Sequence, residues 1–144
     1  MYNSPYIRYD GTREEREWFE SRKLHPALFC VVLAAALWLF RRTKKFTVIT
    51  HILRTRAEQL EFYPDQPDKR SPHEFGRAVD IRTRDLDIEV VREWADWINR
   101  TFKYLGKAGS VTALVHDVGH GHHLHIQIGP QELWLEAPET FIAA

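Results

Sequence analysis

The run at residues 26–40, PALFCVVLAAALWLF, constrains the fold more than any other part of the chain. It holds no charge and lies between Arg22-Lys23 and Arg41-Arg42. Crossing a bilayer takes roughly 20 apolar residues, so the run is short for a span and suits a helix buried in a protein core. Pro26 fits the first turn of such a helix. The basic pair fits its end, where the helix dipole favours cations. A weak membrane anchor that would carry the protein to the cell envelope is the less favoured alternative. Residues 1–10 lack the basic-then-apolar layout of a secretory signal.

A chain of 144 residues has the length of one domain with a single core. Lys plus Arg and Asp plus Glu number 20 each. That balance gives no support to a protein that binds nucleic acid by neutralising phosphates. Cys30 is the only cysteine, which excludes an internal disulfide and a multi-cysteine metal site. Histidine is the unusual component: of eight, five are His116, His120, His122, His123 and His125.

Residues 12–24 read as a helix capped by Thr12, followed by the apolar helix at 26–40. FTVITHIL at 46–53 reads as a strand rich in β-branched residues. Pro64, Pro67 and Pro72 mark 61–72 as a loop. AVDIR at 78–82 alternates like a short strand, and apolar residues from Ile88 to Phe102 recur at helical spacing across 86–102. Two strands, 111–116 and 123–128, flank the segment DVGHGH. We expect one α+β domain with a small, mainly antiparallel sheet flanked by helices. It divides into an N-terminal helical part (1–45), a core bearing the motifs (46–129) and a tail (130–144). Trp18, Trp38, Trp94 and Trp97 are read as core aromatics. Trp134 lies in the tail.

On a strand over 123–128, His123, His125 and Gln127 share one face, while Leu124, Ile126 and Ile128 point into the core. Histidines roughly 7 Å apart on a polar face can converge on one metal-centred site, one ligating and the other reaching water. A merely hydrogen-bonded pair is the bland alternative. A second cluster, SPHEFGRAVD at 71–80, puts His73 seven residues before Asp80. Asp80 faces away from the core if Val79 and Ile81 face into it, and Gly76 permits the turn that returns His73 to it. Imidazole and carboxylate are both ordinary zinc ligands. Three protein ligands would leave the fourth position open, as catalytic sites require. A capping serine, a turn glycine and a surface aspartate would make the same pattern without a site.

Together these residues resemble a specific signature. S-x-H-x-x-G-x-A-x-D, complete as Ser71, His73, Gly76, Ala78 and Asp80, is similar to that of a zinc peptidase family. The family includes D-alanyl-D-alanine carboxypeptidases and dipeptidases, the L-alanyl-D-glutamate endopeptidases of phage lysins and, more remotely, the Hedgehog signalling domain. Its members add a downstream histidine at a strand end, matched by His125. Ile49-Thr50-His51-Ile52-Leu53-Arg54-Thr55 is similar in register to an upstream I-T-S-G-Y-R-[ST], with departures at His51, Ile52 and Leu53. The resemblance runs from about residue 46 to 129. It implies a zinc ion on the open face of the sheet, held by His73, Asp80 and His125. It also implies that Arg54 holds a substrate carboxylate or carbonyl, a role its planar fork of donors suits. Ser71 would contact substrate or support the site, unless it only caps a turn. The implied activity is zinc-dependent hydrolysis of peptidoglycan stem peptides, as carboxypeptidase or endopeptidase. A monomer would perform it in the periplasm or cell wall.

The general base is where the chain departs. Many relatives place a glutamate three residues before the last ligand, and here that position is His122. Relatives with a His-x-His pair use its first histidine, which makes His123 the candidate. The strand alternation also favours His123, with His122, His120 and Asp117 as alternatives. A chain that keeps the ligands and loses the carboxylate could instead be a non-catalytic zinc-binding module for a peptide or protein partner. His116 and His120 could supply a second metal site, although solvent-facing loop histidines are the simpler reading.

Overall fold

The apolar run forms helix α1 (Pro26–Thr43), which extends past it to take in Arg41 and Arg42. His25 caps its start, Nδ1 accepting the Ala27 amide at 3.2 Å. Lys44, in the left-handed conformation at φ 63°, ends it by donating its N–H to the Phe40 carbonyl at 2.8 Å. One face of α1 buries Leu28, Val31, Val32, Ala35, Ala36 and Leu39, at helical spacing. By length and composition alone this helix, 18 residues with a mean hydropathy of 1.5, could cross a membrane. In this fold one face is packed into the core, while Cys30 and Leu37 on the rest of the helix are exposed.

The computed structural model describes residues 5–10, 19, 24–117 and 121–129. The helix expected over most of 12–24, the loop residue His120 and the tail with Trp134 lie outside them. Five strands are described: β1 (Ile7–Tyr9), β2 (Thr47–His51), β3 (Ala78–Arg82), β4 (Ala113–Asp117) and β5 (His122–Gln127). They form one sheet in the order β1-β2-β3-β5-β4. The three pairings from β2 to β4 are antiparallel, while β1 runs parallel to β2. The class is therefore α+β, but the sheet is mixed. The parallel edge strand was not expected, because three residues are too few to show a period.

Two further elements were also not expected. Helix α2 (Arg56–Phe62) follows β2, and a 3-10 turn (Pro72–Phe75) precedes β3. Both open on capping boxes: Thr55 with Glu58, and Ser71 with Glu74. The S/T-x-x-E spacing was visible in the sequence and marks a helix start. Helix α3 (Ile88–Thr101) buries Val91, Trp94, Ala95 and Ile98, close to the expected pattern.

Helices α1 and α3 cover one face of the sheet, meeting Ile49, Val79, Ile81, Leu124 and Ile126 in a single cluster of buried residues. Trp94 is fully buried between them and donates its indole N–H to the Ala35 carbonyl at 2.9 Å. Trp94→Ala removes a large core side chain and its hydrogen bond to the α1 backbone, an expected loss of about 3–5 kcal/mol. A thermal melt should show the midpoint falling by more than about 10 °C. A fall of a degree or two would mean that the helix pair is not packed as described.

The other face of the sheet carries the polar residues. Cross-strand pairing aligns Asp80 with His125, and Arg82 with His123 and through it His116. The pairing of β2 with β3 is irregular. Ile49 lies opposite Ile81, yet His51 lies opposite Asp80, so β2 holds one extra residue at Thr50. Strict alternation would turn His51 to the core beside Ile49. The bulge instead places His51 on the polar face and sends Ile52 into the core, where it is fully buried.

Candidate metal centre

His73, Asp80 and His125 come together on the polar face, each offering a ligand atom within 4.8 Å of the others. The three can hold a metal ion. Two are delivered by neighbouring strands, because β3 and β5 pair in a register that sets Asp80 directly beside His125. The third comes from the 3-10 turn. Ser71 starts that turn, its Oγ accepting the His73 amide at 3.3 Å. Gly76 ends it in the left-handed region at φ 66°, the conformation that returns the chain to β3. The Glu74 side chain is buried and accepts from the Ser71 amide at 2.7 Å and from Arg70 Nε at 3.3 Å. His73 is thus carried on a short element fixed at both ends.

The proton positions favour a cation. His73 is 3% exposed, and burial pushes its imidazole below the ordinary value, so the ring is neutral at pH 7. Its Nδ1 lies 2.8 Å from the Ile52 carbonyl, an acceptor only, so the single ring proton sits there. Nε2 lies 3.3 Å from Asp80 Oδ2. Burial works against charge on Asp80, but hydrogen bonding to His125 and His73 outweighs it and holds the carboxyl far below the usual carboxylate range. A buried carboxylate within reach of imidazole nitrogens is suited by a positive centre between them, a proton or a metal ion. His125 repeats the argument. Nδ1 lies 2.8 Å from Asp80 Oδ1, and Nε2 lies 3.3 Å from Gln127 Oε1, whose amide is fixed by donating to the Val111 carbonyl at 2.9 Å. A neutral ring can donate to only one of those acceptors. A cation at Nδ1, with Nε2–H given to Gln127, satisfies both. Such a partner behind a ligating histidine is the usual support of a metal site.

His123 stands beside the centre, Nε2 at 3.6 Å from Asp80 Oδ1. Burial of its ring lowers its pKa against the opposing pull of the Asp80 carboxylate, and the nearby His116, whose ring centroid is 5.1 Å away, works in the same direction as burial. His122 and Asp117 pair with each other at the start of β5, so alternation turns both to the opposite face, away from the three ligands. The structure therefore does not bring either alternative base to the site.

Arg54 and Ser71 line the same cleft, of about 460 Å³, as the three ligands and His123. The Arg54 guanidinium lies over the Phe62 ring at 4.6 Å and donates to Gln59 Oε1 at 2.9 Å, so α2 holds it in place. Ser71 caps the turn and lies in the lining of the cleft. Phe62, Tyr63, Leu114 and His116 are further walls of the cleft. Sequence reasoning missed these walls, the Gln127 support and the placement of His51. No protein-family model, curated protein or solved structure matches the chain.

Proposed function

We propose that the protein is a zinc-dependent peptidase acting on bacterial cell-wall stem peptides. The observation that carries the reading is a cluster of three candidate ligands in an open cleft, with His123 beside it. Two imidazoles and a carboxylate suit zinc, and three protein ligands are the pattern of catalytic rather than structural zinc sites. The same donors accept iron(II). The complete SxHxxGxAxD motif inclines the choice to zinc and to peptidoglycan peptides.

When bound, zinc supplies a Lewis acid that polarises the scissile carbonyl and lowers the pKa of a water to about 7. His123 takes the proton of the attacking water, for which a neutral imidazole is required, and returns it to the leaving amine. Arg54 orients the peptide through a carboxylate or carbonyl, its position set by Gln59 and Phe62. A second reading rests on the 3.6 Å approach of His123 to Asp80. If His123 ligates as well, the centre closes and becomes a non-catalytic module that recognises a peptide or protein partner.

Purified peptidoglycan digested with zinc-loaded protein and read by mass spectrometry decides between them. New peptide termini, absent from a chelator-treated control, are the expected result and identify the bond. Intact stem peptides from several wall types, despite one bound zinc per chain, would shift the reading to the binding module.

A further inference from the structure

We propose that His51 is a positioning residue that fixes His73 as a metal ligand. This rests on the metal centre described above but not on the peptidase reading. The bulge at Thr50 brings His51 opposite Asp80, on the face that carries the ligands. There its ring packs against the His73 ring, with centroids 4.8 Å apart and planes inclined at 55°. His125 lies against the His73 ring as well, at 5.1 Å. Two imidazoles thus contact the His73 ring, only one of which is a candidate ligand.

The same short segment touches His73 at two further points. The Ile52 carbonyl accepts from His73 Nδ1 at 2.8 Å, and the Arg54 amide donates to the His73 carbonyl at 3.3 Å. Ile52 anchors the segment because its side chain is fully buried in the core. One extra residue in β2 therefore does three things together. It sets a ring against His73, aims a carbonyl at Nδ1 and turns an anchor into the core. The carbonyl selects the tautomer that leaves Nε2 open, and the His51 ring restricts rotation of the imidazole out of that geometry. Partners of a ligating histidine typically change metal affinity by about 10–100-fold when removed.

The test compares His51→Ala with His51→Phe, which keeps a flat ring of similar size. The first readout is the zinc dissociation constant by chelator competition. The second is the ¹⁵N spectrum of the imidazoles in metal-free protein, which reports the His73 tautomer. His51→Ala is expected to weaken zinc at least about tenfold and to release His73 from its fixed Nδ1–H form. His51→Phe should stay within about threefold of the parent and keep that form. An alanine variant with the parent's affinity and tautomer would overturn the proposal. So would a phenylalanine variant that loses as much as alanine, because a ring nitrogen rather than ring packing would then be at work. If the alanine variant does not fold, as circular dichroism would show, His51→Leu, which fills the space without a flat ring, takes its place and is expected to show the same two losses. Should the parent protein itself bind no metal, the metal centre fails, and the tautomer readout still judges whether His51 fixes His73.

Discussion

Replacing His73 with alanine is expected to lower zinc affinity by more than about a hundredfold, beyond the effect of losing a ligand's supporting partner. Hydrolysis should disappear with the metal. The ring is one of three converging candidate ligands, and its removal leaves only Asp80 and His125 to hold an ion. Asp80→Ala should act in the same way, since its two carboxylate oxygens face both histidines. Isothermal titration with zinc measures the effect. A thermal melt gives an independent check, because an ion bound only by the folded state raises the midpoint. The parent protein should gain stability on adding zinc and the two variants should not. Variants that bind zinc like the parent would place the metal elsewhere or nowhere.

His123→Ala should separate binding from chemistry. A general base contributes about 10²–10⁴-fold to rate, so turnover of peptidoglycan peptides should fall by that factor while zinc affinity stays close to the parent's. Zinc affinity that falls together with turnover would instead make His123 a fourth ligand, as in the closed, non-catalytic reading. His122→Ala and Asp117→Ala serve as controls. Both residues lie at the start of β5 and β4's end, on the face turned away from the ligands, and neither substitution should change the rate.

Much of the fold was legible because its signals are local. The apolar run marked α1, the alternation in AVDIR marked β3 at its observed bounds, and the spacing from Ile88 to Ile98 marked α3. The alternation across 123–128 placed His123 and His125 on one face and Leu124 and Ile126 in the core, which the pairing with β3 reproduces. The two capping boxes carried a signal that could have placed α2 and the 3-10 turn, since Thr55-x-x-Glu58 and Ser71-x-x-Glu74 have the required spacing. The parallel strand β1 had no such signal. Its assignment depends on hydrogen bonds to β2, some forty residues further on.

By itself the sequence determined which side chains could ligate a metal and on which face of its strand each stands, because side-chain alternation is a property of the single chain. The tertiary structure alone decided that these faces meet. The register of β3 against β5 sets Asp80 beside His125, and the turn between Ser71 and Gly76 brings His73 to both. It alone decided the role of His51 as well. A bulge exists only in the pairing of two strands, so no periodicity within residues 46–53 could show that one extra residue turns His51 from the core to the metal centre.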